Sequence, residues 1–115
     1  MRDFRKLSIW SKGHQLTLKI YMLTKCFPKE ETFGLVSQMR RAAYSIPSNI
    51  AEGCGRNSVP DLKRFLTISS GSASELEYQL CLSKDLNYIS EPLFKELEQE
   101  IIEIKKMLFS FSSKL

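Results

Sequence analysis

Gln38, Arg41, Ser45, Asn49, Glu52 and Arg56 recur at +3, +7, +11, +14 and +18 from the first of them, a spacing that places side chains on one face of a helix. A solvated helix face is normally rich in Lys and Glu. This one offers amides, hydroxyls and arginine forks, donors and acceptors of moderate length. Such a stripe suits contact with a partner chain, a polar network inside the fold, or a nucleic acid, and nothing in it suggests catalysis. A second polar group lies in the run Ser69-Ser70-Gly71-Ser72-Ala73-Ser74-Glu75. Gly71, Ser72 and Glu75 therefore join Gln38, Arg41, Ser45, Asn49 and Glu52 as the residues expected in an oligomer contact or polar network, because buried polar groups must be satisfied and can fix register.

Arg40, Arg41, Arg56, Lys63 and Arg64 form the second constellation, around the expected turn between the second and third helices. Arginine forks suit phosphate oxygens and carboxylates alike. These five are the expected nucleic-acid contacts; for Arg41 and Arg64 the alternative is ion pairing with Glu52 and Glu75. Charge is unevenly spread. Residues 1–64 carry 12 Lys and Arg against 5 Asp and Glu, whereas residues 65–115 carry 5 against 8, for a net charge of +4. A basic half of this kind meets phosphate or an acidic protein surface, including that of a neighbouring copy. Most aromatics fall on core stripes, which predicts contact with phosphate rather than stacking on bases.

Other chemistry finds little support. His14 is the single histidine, one helical turn from Trp10 and Leu18, and is expected to pack or to sit at an interface. No second histidine or cysteine stands at metal-ligand spacing. The serines lack a base oriented by a third group. Gly53-Cys54-Gly55 closes a helix and follows no strand, so it is not a phosphate loop. Cys26, Cys54 and Cys81 are far apart and odd in number, against a disulfide framework, and are expected as buried free thiols. Glu96, Glu98, Glu100 and Glu103 read as a solvated face. No enzyme activity, cofactor, metal or small-molecule substrate is expected. The charged start Met1–Lys6 and the absence of an apolar run of about 20 residues predict no leader, no membrane span and a cytoplasmic location.

Four helices would position these groups. The first is predicted from about Leu7 to Thr24, with Trp10, His14, Leu18 and Tyr21 on one stripe and Leu16, Ile20 and Leu23 beside it; Phe27-Pro28 ends it. The second starts within Glu30–Leu35 and stops at Gly53-Cys54-Gly55, with Leu35, Met39, Ala42, Ala43, Ile46 and Ile50 apolar in phase. Pro47 inside it predicts a kink rather than two helices. Ser58-Val59-Pro60-Asp61 signals the start of the third, running to about Asn87 with Leu62, Phe65, Leu66, Ser69, Ala73, Leu76, Leu80, Ser83 and Leu86 at helical spacing. Its all-small middle is expected to be a tight crossing point at Gly71. Ser90 caps the fourth, with Leu93, Leu97, Ile101, Ile104, Leu108 and Phe111 apolar. Short loops make successive helices antiparallel neighbours. The expectation is one all-α domain over residues 1–115, an up-down-up-down four-helix bundle.

Several motifs of the chain resemble one known family over nearly its whole length. They are Phe4-Arg5-Lys6-Leu7-Ser8-Ile9-Trp10, Phe27-Pro28-Lys29-Glu30-Glu31, Gly34-Leu35-Val36-Ser37-Gln38-Met39-Arg40-Arg41-Ala42, Ser45-Ile46-Pro47-Ser48-Asn49-Ile50-Ala51-Glu52-Gly53, Phe65-Leu66 and Gly71-Ser72-Ala73-Ser74-Glu75-Leu76-Glu77. Together they resemble the bacterial four helix bundle protein family, some members of which are encoded by intervening sequences inside large-subunit ribosomal RNA genes. Ser8 and Tyr44 depart from its pattern. The resemblance implies a homo-oligomeric ring, most simply a pentamer, without known enzyme activity. The accessory variability proteins of diversity-generating retroelements, basic pentamers that partner a reverse transcriptase and bind nucleic acid, look like the same fold, a fold-level analogy. The functional expectation is a non-enzymatic oligomeric bundle that binds RNA, or DNA, through a basic rim. The alternative is a structural scaffold that docks a partner protein without nucleic acid.

Overall fold

A computed structural model describes residues 2–115; Met1, which opens the charged N-terminal run, lies outside the described residues. Four helices account for most of the chain: α1 (Ser8–Thr24), α2 (Ser37–Cys54), α3 (Val59–Asp85) and α4 (Glu91–Ser113), with no strand among the described residues. The long helices begin where the caps dictate. Ser58 Oγ accepts from the Asp61 N–H at 3.2 Å and Ser90 Oγ from the Leu93 N–H at 3.3 Å, each satisfying an orphan donor of the first turn. The all-serine middle of α3 is helical, as its apolar phase predicts. Helix α3 closes at Asn87, whose φ of 64° is a left-handed conformation that Asn tolerates better than most residues.

The link between α1 and α2 is longer than expected. After α1 the chain makes a 3-10 turn (Lys29–Glu31) and one π-helical turn (Thr32–Val36), with Gly34 outside helical geometry. Glu31 pins this segment from both sides. Its Oε1 accepts from the Leu35 N–H at 3.3 Å and its Oε2 from the Tyr88 hydroxyl at 2.9 Å. Hydrogen bonding to Glu31, then burial, holds the Tyr88 hydroxyl above its ordinary pKa.

The core sits between all four helices. Leu16, Ile20, Met39, Ile46, Ile50, Leu66, Leu76, Leu80, Leu97, Ile101, Ile104 and Leu108 are fully enclosed. The expected periodicity holds, with exceptions. Leu86 is 44% exposed, and the Trp10–Tyr21 stripe of α1 flanks the core rather than filling it. In each helix pair the partners run in opposite order. Thr17 meets Ala43 and Thr24 meets Arg40; Ser45 meets Ser72 and Met39 meets Ser83; Glu77 meets Lys105 and Lys84 lies over Phe94. Between α1 and α4, Lys12–Glu103 and Lys19–Glu100 pair at 2.7 Å each, so this part of the glutamate face of α4 is clamped to α1 rather than merely solvated.

Helix α2 runs unbroken through Pro47. Proline has no N–H to give the carbonyl four residues back. The Thr17 hydroxyl supplies the missing donor, lying 3.0 Å from the Ala43 carbonyl and sharing its one proton with Gly13 O at 2.8 Å. Gly13 makes this approach possible: a Cβ there would lie 3.1 Å from Ile46 Cγ2 and 3.4 Å from Pro47 Cδ.

The close crossing of α2 and α3 is at Gly53, not at Gly71. A Cβ at Gly53 would come within 3.0 Å of both Leu62 Cδ1 and Phe65 Cβ, whereas one at Gly71 meets nothing within 4 Å. Gly71 lines an open groove between α3 and α4 with Leu66, Thr67, Ser70, Ser74, Leu108 and Phe109. The small residues that receive α2 are Ser69, Ser72 and Ala73, on the opposite face of α3.

Two stability outcomes are expected. Thr17→Val strands a buried carbonyl and costs about 1–3 kcal/mol in urea unfolding. In a Pro47→Ala background, where residue 47 regains its N–H, the same change costs less than about 1 kcal/mol, a coupling read by the double-mutant cycle. Gly53→Ala overpacks a close approach and destabilises by about 1–3 kcal/mol, whereas Gly71→Ala is neutral or stabilises by up to about 1 kcal/mol through helix propensity.

Candidate nucleic-acid interface

The polar stripe of α2 meets α3 within the same chain. Ser45 is its hub. Its Oγ lies 2.8 Å from Ser72 Oγ and accepts from the Asn49 amide at 2.9 Å, while the same amide reaches the Ser45 carbonyl at 2.8 Å. Arg41 Nη2 donates to both carboxylate oxygens of Glu75, at 2.9 and 3.2 Å, and reaches Gln38 Oε1 at 3.5 Å. Ser69, fully buried, donates to the Ile46 carbonyl at 2.9 Å. Gln38, Arg41, Ser45, Asn49, Ser72 and Glu75 thus form the anticipated network, and it ties α2 to α3. Gly71 stands outside it. Glu52 also stands outside it: rather than pairing with Arg41 or Arg64, it lies 3.8 Å from Arg56.

The basic constellation divides in two. Arg40 belongs to the opposite end of the molecule, where its Nε donates to Thr24 Oγ1 at 2.9 Å and its Nη2 to the Tyr21 carbonyl at 3.2 Å, with the guanidinium over the Tyr21 ring. It satisfies the C-terminus of α1, where the helix dipole favours a cation. Arg41 is engaged by Glu75. Arg56, Lys63 and Arg64 do gather around the α2–α3 turn, all exposed. Arg64 pairs locally with Asp61 at 3.6 Å rather than with Glu52 or Glu75.

Three cations that the sequence reading left out belong with them. The Arg2 N–H donates to the Cys54 carbonyl at 2.9 Å, folding the N-terminal segment across the C-terminus of α2. Arg2, Arg5 and Lys6 are thereby brought to the end that carries Arg56, Lys63 and Arg64. Asp3, Glu52 and Asp61 are the carboxylates paired locally there, so cations outnumber them two to one. The run Arg2-Asp3-Phe4-Arg5-Lys6 was the available signal; its basic character is plain, but where it folds is not. Beneath it Cys54 is buried, and desolvation pushes its thiol above the usual range, which makes it a packing group rather than a nucleophile. Cys81 is half-buried, and Cys26, expected as buried, is exposed.

Over residues 5–110 the sequence matches the model of the 23S rRNA-intervening sequence protein family. The chain belongs to this family. It is similar to the crystal structure of a protein of unknown function from the S23 ribosomal protein family of Bacteroides thetaiotaomicron, with 28% identity over 91% of this chain and 95% of that chain and a TM-score of 0.85. No curated protein matches. In this family member the match takes in both the α2–α3 network and the basic end from Arg5 onward. No helix among the described residues is long and apolar enough to cross a membrane.

The two halves of the network should differ in worth. Arg41 and Glu75 are 50% and 40% exposed, and an exposed ion pair contributes below about 1 kcal/mol; Arg41→Gln should cost no more, and less at high salt. Ser45→Ala leaves Ser72 and Asn49 each short of a half-buried partner and should cost about 1–2 kcal/mol independently of salt. Urea unfolding at two ionic strengths separates the two.

Proposed function

We propose that this chain is a non-enzymatic, homo-oligomeric, up-down-up-down bundle subunit of the cytoplasm that binds nucleic acid, RNA foremost, through its basic end. The observation that carries the reading is the gathering of Arg2, Arg5, Lys6, Arg56, Lys63 and Arg64 at one end of the molecule, with three locally paired carboxylates among them. Cations focused on one surface raise the local concentration of a polyanion and release counterions on contact. Arg40 and Arg41, spent on α1 and on Glu75, drop out of the contact set. The opposed order of every helix pair supports the up-down-up-down path. Exposed apolar side chains, among them Phe33 at 95% and Phe109 at 77%, supply surface for assembly, and the resemblance to pentameric relatives favours five copies.

Mobility-shift titrations with mixed RNA and DNA pools test the function. Affinity should fall steeply between low and moderate salt. The pair Arg56→Ala and Arg64→Ala should weaken binding to all sequences alike and flatten the salt slope by about one unit per lost phosphate contact, with no change in oligomer mass. Light scattering should return about five times the 13.3 kDa subunit mass. Gly71→Leu should leave the subunit folded, because its surroundings are open, and alter that mass only if the α3–α4 groove is the contact between copies. Absence of any shift at low salt would leave the scaffold that docks a partner protein.

A further inference from the structure

The arginines of the basic end are not free-swinging charges. Arg56 and Arg64 hold their guanidinium carbons 4.9 and 4.5 Å from the centre of one ring, that of Phe65. Phe65 is buried at 8% exposure, wedged beside Gly53 where α2 and α3 approach most closely. Arg5 lies over Phe4 at 4.6 Å and Arg2 over Phe111 at 5.6 Å. Phe4 is itself held: its ring packs on Trp10 at 4.9 Å, and Trp10 stacks on His14 at 5.0 Å with an interplanar angle of 6°. Each guanidinium therefore has an aromatic ring on one side. The side chains remain open on the other, with Arg56 44%, Arg64 56% and Arg5 72% exposed. Their carboxylate neighbours stand at 3.6–3.9 Å and leave most of the five N–H donors of each fork available.

We propose that this end takes unpaired nucleotides of single-stranded RNA, with bases stacking on the outer faces of guanidinium groups that phenylalanine rings hold in place and phosphates meeting their donor edges. The inference rests on nucleic-acid binding by the basic end and names the form of RNA it selects. Planar guanidinium stacks on bases as aromatic rings do, and only an unstacked base offers its face. A duplex presents backbone and 2′-hydroxyls here, which the same cations meet as point charges only. Rings that already fix the arginines lower the ordering cost of binding. The absence of an exposed aromatic platform, which argued against base stacking from sequence, loses its force once buried rings carry arginines outward.

Arginine-to-lysine exchange separates stacking from charge. The double variant Arg56→Lys and Arg64→Lys of the full chain keeps every positive charge and alters only exposed side chains. Binding of fluorescent oligouridylate, of a duplex RNA of equal length and of an abasic ribose-phosphate strand is followed by anisotropy at low and moderate salt. The wild type should prefer oligouridylate to both other probes. The variant should lose about tenfold toward oligouridylate, the loss of roughly one stacked base, and stay within about twofold toward duplex and abasic strand, with unchanged circular dichroism. A wild type that binds duplex as well as oligouridylate, or a variant indistinguishable from it, overturns the stacking inference and leaves phosphate binding intact. A wild type that binds none of the three at low salt overturns both.

Discussion

Pro47 has no N–H, and its place inside α2 leaves the Ala43 carbonyl facing the core without its helical donor. The fold is arranged around that deficit. Thr17 answers it from α1, which requires the two helix axes to approach closely, and Gly13 supplies the room against Ile46 and Pro47. An unsatisfied buried carbonyl costs more than a typical hydrogen bond contributes, so this contact fixes the register of α1 on α2 more sharply than apolar packing alone. One turn away, the Ile46 carbonyl takes a second donor from Ser69 of α3. The segment around Pro47 is thus held from two sides by hydroxyls.

From that anchor the α2–α3 contact follows. With Ile46 set against Ser69, the next polar pairs along the helices fall into place as Ser45 with Ser72 and Arg41 with Glu75. Small side chains let the backbones approach, and Gly53 lets them stay close to the end of α2. The same closeness buries Phe65 beneath the turn, where its ring underlies Arg56 and Arg64. The geometry of the basic end is in this sense a consequence of packing further up the helix pair.

The molecule is also electrically two-ended. Cations gather where the N-terminal segment crosses the end of α2, while the other end uses Arg40 to satisfy α1 and Glu31 to hold the π-turn and Tyr88. Lys19 and Lys12 are committed to α4, with Glu100 holding the Lys19 amine above its ordinary pKa through their hydrogen bond. The positive charge left for a partner is therefore local, and smaller than the basic half of the sequence suggests.

Helix number, caps, the buried stripes and the α2–α3 polar network were legible in the sequence, because each depends on local spacing: 3.6-residue periodicity, Ser before Pro-Asp or Glu-Pro, and side chains that share a face. The family resemblance was legible for the same reason, being carried by contiguous motifs. What the sequence did not disclose were relations between distant segments. That Arg40 serves α1, that Gly53 rather than Gly71 marks the close crossing, that Arg2 reaches the Cys54 carbonyl and brings Arg5 and Lys6 with it, and that Phe65 carries two arginines all depend on how helices approach one another in space. Local spacing says which face a residue occupies; only the packing of the four helices decided what that face would meet.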